Sequence, residues 1–572
     1  MPAKRRALCV LLLLCTLLAA CGGPAAELAT PAPSAPPTAT TPAIAPTLPA
    51  STPEQALPAD TLRWSLDGVS DISALDPARP GDVQTTPVLG LVYGGLVRLN
   101  EDLEVVPDGA QEWKVSADGK VYTFILREGL AFADGTPVTA SDFVYSINRA
   151  LSPETRSFGA RTQLGHILGA QDVLSGTTTF AFGVRALNPQ TLEIRLDAPL
   201  AYFLTQLVYS YTFVVPRTLV ESGPDWEGRA YGTGPYRVAE WKRGEYLRLT
   251  ANENYWAGKP GIPTIMIPFN PDSERAFQSY LAGELDIVGN QQSPLPSQRL
   301  AQAKGLPGFA ATPSLATRFV SFNNRRAPFD KVEVRRAFAL AIDKRALVAQ
   351  LLPDAATPAG RILPPGLLGT QYDITPLAFD AAAAQAALAS AGYPNGQGLP
   401  EVTLAYAVEG ENEAVVRTLQ EQWRSNLGIE VKLQPFPDTT SFSAQLDATT
   451  YQPETGLQLF LSFWGIDYPD PQNFLSQQFL TGSPNNNGRF SDATFDRLVS
   501  EADSLADRAA IERRLLLYNQ AEQIVISDAA WIPLYHPTFN IIIRPRVEGL
   551  KLTPYGLIAP DWTKVKLKAS AP

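Results

Sequence analysis

All three cysteines of this chain lie within its first 21 residues, at positions 9, 15 and 21. No disulfide can form beyond Cys21, so whatever folds there must rest on its own apolar core. With 572 residues and 45% hydrophobic side chains the chain can supply one, and two to four domains are expected. A charged fraction of 18% places the bulk among globular rather than disordered sequences. The formal charge of −10 argues against a nucleic-acid partner, because binding phosphates needs a basic face.

The first residues read as a targeting segment. Lys4, Arg5 and Arg6 precede an apolar run from residue 7 to 20, which is short for a membrane span. The run ends in Leu18-Ala19-Ala20-Cys21, which resembles the lipobox of bacterial lipoproteins. That resemblance implies a signal peptide over 1–20 and a lipidated Cys21. Loss of the three leader cations would take the net charge from −10 to −13. Residues 22–59 hold ten prolines among Ala, Thr and Ser, and cannot bury a core. With Cys21 they make a disordered tether over 21–60, extended at roughly 3.1 Å per residue where polyproline II forms. Its role would be to hold the body off a lipid surface.

Beyond residue 60, strand and helix signals alternate. Residues 121–126 (VYTFIL) alternate apolar and polar side chains after an Asp118-Gly119 turn, as a half-buried hairpin strand should. Thr139 with Asp142 reads as a helix start, followed by Phe143, Ile147 and Leu151 at helical spacing. Strands are expected over 191–196 and 285–288, residues 232–241 read as a Gly/Pro turn feeding a strand, and helices are expected over 273–282, 381–391 and 508–526. Asp330 with Glu333 suggests a capping box ahead of Val334, Phe338 and Ile342. The stretch AVVRTLQEQWRSNLGIEVKLQP reads as helix, glycine stop and strand. Such mixing argues for an α/β or α+β architecture with more than one sheet.

Residues for catalytic chemistry are scarce. Only two histidines exist, His166 and His536, so a histidine triad or multi-histidine metal site is hard to build. His-Glu-x-x-His, Gly-x-Ser-x-Gly and Walker A patterns are absent. Gly232-Thr-Gly234 lacks a third glycine and runs into Pro235, so it reads as a turn. No catalytic residue, metal ligand or cofactor is assigned. One carboxylate stands out. In LFLSFWGIDYPDP an apolar run leads to Trp464, and Asp467 follows three residues later, before a proline-rich turn. It reads as a surface acid, a base, or a fixed charge for a cation.

Several blocks then occur together and in order: FADGTPVTASDFVYSINRAL (132–151), GTGPYRVAEW (232–241), YLAGELDIV (280–288), FNNRRAPFDKVEVRRAFALAIDKRAL (322–347), NNNGRFSDATFDRLVSEA (485–502) and AWIPLYH (530–536). With them the chain resembles the extracellular solute-binding proteins of family 5, the peptide-binding components of ABC importers. The resemblance implies an α/β, two-lobed periplasmic-binding-protein-like fold (type II, cluster C-like). It would have three domains and a ligand cleft between the lobes. Lobe I would combine 61–92, 217–315 and 535–572, a further domain would be inserted over 93–216, and lobe II would span 316–534.

The same resemblance gives Asp467 a role. Oligopeptide binders of the family carry Trp-x-x-Asp here, with the carboxylate on the ligand's α-ammonium and backbone by the tryptophan pairing the peptide. Trp464, Gly465, Ile466 and Asp467 match that pattern. By position, Asp82 and Val83 would face them from the other lobe, and Phe158 would place an aromatic against the ligand. Leu461 stands where some relatives have an arginine for the ligand's carboxylate, so recognition of the far end stays open. The implied protein is a monomeric, non-enzymatic receptor that captures short peptides outside the cytoplasm. It would deliver them to permease subunits with cytoplasmic ATPases, with a lipid anchor on the membrane and no nucleic-acid partner. An oligosaccharide receptor and a non-transporting ligand sensor are the alternatives.

Overall fold

The computed structural model describes residues 60–80, 84–157, 159–290 and 294–568. The expected leader, Cys21 and the tether lie outside them, as do Asp82, Val83 and Phe158.

The chain enters a five-stranded sheet at once. Thr61–Arg63 lies parallel to Thr264–Asn270, and Tyr246–Ala251 and Tyr236–Lys242 follow antiparallel, while Leu66–Asp67 also pairs with Thr264–Asn270. Leu62, Leu247, Leu249 and Ile265 are wholly buried in its core. A separate four-stranded antiparallel sheet is built from Ala110–Val115, Val121–Leu126, Thr191–Arg195 and Val184–Asn188. Its first hairpin turns at Gly119, whose φ of +69° favours glycine. Side chains of Val121–Leu126 alternate between half-buried and buried, as the sequence pattern predicts. Helix Ala140–Leu151 starts on the expected Thr139–Asp142 capping box and packs Phe143, Ile147 and Leu151 into the same core.

The largest sheet has eight strands. Its main path runs Ile287–Val288, Trp531–Ile543, Ala316–Phe322, Leu459–Gly465, Val402–Ala407, Val431–Phe436, and Phe309–Pro313 and Ala356–Pro358 also pair with Trp531–Ile543. The long strand Trp531–Ile543 pairs through residues 538–542 with Phe309–Pro313 and through 531–535 with Ala316–Phe322. Helix Asn412–Leu427 stops at Gly428, with φ of +70°, and leads to Val431–Phe436 parallel to Val402–Ala407. That is the expected helix, glycine stop and strand. Trp423 of this helix is fully buried and donates its indole N–H to the Phe338 carbonyl at 3.0 Å.

Some local expectations shift. Helix Val332–Leu340 begins with Lys331 at its N-cap and no side-chain cap, because Asp330 falls one residue too early to reach the first free N–H groups. The strand expected over 285–288 shortens to Ile287–Val288. Just before it, Asp286 still pairs through its backbone with the Arg63 carbonyl and the Arg544 N–H, while its buried carboxylate accepts from Arg546 at 2.6 and 2.7 Å and from the Arg63 backbone N–H. The helix expected over 508–526 is a short 3₁₀ turn, Arg508–Ala510, capped by Asp507, followed by Ile511–Asp528.

Candidate ligand-binding site

Strand Leu459–Gly465 is antiparallel to Ala316–Phe322 along its whole length. On its other side it is parallel to Val402–Ala407, but that pairing joins only Leu404 to Leu459 and Ala405 to Phe460. Among the described residues, Leu461–Gly465 has no strand on that edge. Alternate N–H and C=O groups of an extended chain point to opposite sides, so this edge offers backbone donors and acceptors. The edge opens on a cavity of about 1510 Å³, which is also lined by the loop 409–412. That exceeds the several hundred Å³ typical of a small-molecule pocket.

At the end of this edge the chain turns. Asp470 caps the short Pro471–Asn473 turn by accepting from the Gln472 N–H at 3.0 Å, and pairs with Arg514 at 2.6 Å. Both members of that ion pair are nearly inaccessible, at 3% and 4% side-chain exposure. The turn positions the buried Asn473. Its backbone and side-chain oxygens both lie within reach of the Trp464 indole N–H, at 2.9 and 3.2 Å. Its amide also accepts from the Asp467 N–H at 3.2 Å and donates to the Asp467 carboxylate at 3.3 Å. The spacing of Trp464 and Asp467 is therefore held by one asparagine.

Asp467 as a residue is half-buried, yet its carboxyl group is enclosed enough for burial to raise its pKa above the ordinary value. The Asn473 hydrogen bond opposes that shift, and no cationic side chain contributes to it. Among the described residues Asp467 forms no ion pair. Tyrosines surround it instead. The Tyr555 hydroxyl donates to the Asp467 carbonyl at 2.8 Å. Tyr209 and Tyr211 stack with ring centroids 5.3 Å apart. Burial first, and then the Asp467 charge, pushes the Tyr209 hydroxyl up to about 12. Tyr211 moves the same way, through burial, Tyr209 and Asp467. A half-buried acid without a counterion, walled by aromatic rings, suits an ammonium group.

The structure thus brings Trp464, Gly465, Ile466 and Asp467 to the cavity wall, where Gln84 and Thr86 also contribute. Asn473 and the three tyrosines are additions that sequence reasoning missed. Asn473 carried a signal, since Asp470-Pro471 is a cap followed by proline at a helical first position. The tyrosines carried none, being distant in sequence. The two histidines stand apart from the cavity. His166 is exposed, 3.4 Å from Asp197. His536 is buried 3.0 Å from the Thr317 hydroxyl, and burial pulls its pKa down to about 4.

Fold and site together define an extracellular solute-binding protein with a large, backbone-lined cleft. The chain belongs to the bacterial extracellular solute-binding proteins, family 5, whose model for the middle of the family matches residues 104–486. It is 31% identical over 491 residues to the periplasmic murein peptide-binding protein MppA of Escherichia coli (strain K12), covering 83% of this chain and 88% of that one. It is 30% identical over 519 residues to the probable deoxycholate-binding periplasmic protein YgiS of the same organism, covering 88% and 93%. The solved unliganded open form of MppA superposes with a TM-score of 0.73 at 28% identity, over 89% of this chain and 98% of the other. The mixed α/β, two-lobed fold expected from the sequence is therefore present.

Proposed function

We propose that this protein is the substrate-binding component of an ABC importer and captures short peptides in its cleft. The observation that carries the reading is the enclosed Asp467 carboxylate, which has no counterion among the described residues, at the end of a strand edge that none of them pairs. Every peptide has an N-terminal ammonium and an extended backbone, so an acid and a free edge read peptides without regard to side chains. Relatives named for murein peptide, oligopeptide and dipeptide binding support it. A relative named for deoxycholate shows that membership alone does not fix the ligand. Asp467 does the discriminating, because a bile acid offers no ammonium. In this reading Asp82, Val83 and Phe158 complete the pocket, and the protein has no catalytic role. The lobes, 61–92 with 217–315 and 535–572 against 316–534, close on the ligand with the 93–216 domain, and the closed form engages the permease.

Denaturing the protein purified from its native host and analysing the released small molecules by mass spectrometry should yield peptides of a few residues. Release of sugars or sterols in their place would end the peptide reading.

The targeting segment supports an extracytoplasmic location with the lipid on Cys21. Growth with labelled palmitate should mark the wild type and leave Cys21→Ser unlabelled; a wild type that takes up no label, or label that persists in the variant, would refute the anchor.

A further inference from the structure

Two arginines line the cavity, Arg98 and Arg318. Arg98 is engaged, donating to the Pro560 carbonyl at 3.3 Å beside Asp108. Arg318 is different. It sits in the middle of three strands, in register with Tyr535 on one side and Phe463 on the other. Its guanidinium lies 5.2 Å from the Phe463 ring centroid, and Phe463 is itself 46% exposed. Its carboxylate partner, Glu411, is 3.8 Å away and already accepts from the Tyr535 hydroxyl at 3.0 Å. The Arg318 Nε is buried and has no hydrogen-bond partner, a feature it shares with Arg98. A planar fork with five donors is thus held at the cavity wall by the Phe463 ring, the Tyr535 hydroxyl and one long contact to Glu411, with its Nε unspent.

We propose that Arg318 is a specificity-determining residue that holds the carboxylate at the ligand end opposite Asp467. The inference rests on the peptide reading above and adds a ruler to it. Phe463, beside Arg318, lies four residues before Asp467, at most about 13 Å away along an extended chain. A peptide lying on that edge spans roughly 3.3–3.6 Å per residue. Three or four residues therefore place the ammonium on Asp467 and the terminal carboxylate on Arg318. A dipeptide falls short. Arginine is suited to the task, because its fork meets both carboxylate oxygens. Glu411 then serves as the counterion of Arg318 in the empty cavity, and its long contact leaves it easy to exchange.

The test uses the ligand-stripped full chain and calorimetric titration with di-, tri-, tetra- and penta-alanine, each as free acid and as C-terminal amide. Wild type should prefer the free acid by at least about tenfold, most strongly for three and four residues. Arg318→Met should abolish that preference while keeping the penalty for N-acetylation, and Arg318→Lys should restore part of it. Equal affinity of acid and amide in wild type overturns the assignment without any variant, so a variant that folds poorly does not rescue it. An acid preference that survives in Arg318→Met overturns it too. Wild type that binds none of these peptides fails at the earlier step and removes the peptide reading itself.

Discussion

Asp467→Asn lowers the affinity for a free tripeptide by about 10- to 150-fold and leaves an N-acetylated tripeptide nearly unaffected. A hydrogen bond to a charged group contributes roughly 1.5–3 kcal/mol net, which sets that range. The change keeps size and hydrogen bonding to Asn473 but removes the negative charge at this end of the strand edge. Titration of both peptides against both proteins measures it. Equal losses on the two ligands would show that Asp467 shapes the wall and does not meet an amine. The pH dependence follows with opposite signs for binding and stability. Burial raises the Asp467 pKa, so the carboxylate protonates at a higher pH than an exposed aspartate, and binding of free amines falls as pH drops through that value. For the empty protein, a raised acid pKa means that the folded state favours the proton. That contribution is fully present below the unfolded value and is lost as pH rises through the folded one. Ligand should reverse the trend, because its ammonium favours the charged carboxylate.

Arg514→Met should destabilise the protein by about 3–5 kcal/mol. It leaves the Asp470 carboxylate buried and uncompensated, which costs far more than an intact buried pair contributes. Urea denaturation of the full chain reads the loss, and adding Asp470→Asn to the same protein should recover much of it. Asp470 also caps the turn that carries Asn473, so the single variant should weaken peptide binding even where it remains folded. Unchanged affinity in folded Arg514→Met would separate the turn from the site.

The elements legible in the sequence were those with local causes. The Thr139 cap, the Gly428 stop and the alternation over Val121–Leu126 each rest on neighbours within a few residues. Trp464 to Asp467 was legible through family resemblance, and the spacing alone left three readings of the acid. What escaped was set by distant partners. The buried Asp286 carboxylate finds Arg546, and Tyr209 and Tyr555 reach Asp467 from far parts of the chain. Arg318 escaped for a related reason. On a single strand it reads as an ordinary exposed cation, and only the register with Phe463 and Tyr535 places it at the cavity wall.

The unpaired edge of Leu461–Gly465 has one more consequence. Such an edge is indiscriminate, and on an open surface it would template the addition of any extended chain, including another copy of this protein. Here it is five residues long and lies in the wall of a cavity facing the 409–412 loop. A strand that belongs to a folded body cannot enter without bringing that body along. On the peptide reading, enclosure would filter by bulk before chemistry: loose chain ends could pair with the edge and folded bodies could not, which would keep for small guests the backbone groups that make an exposed strand sticky.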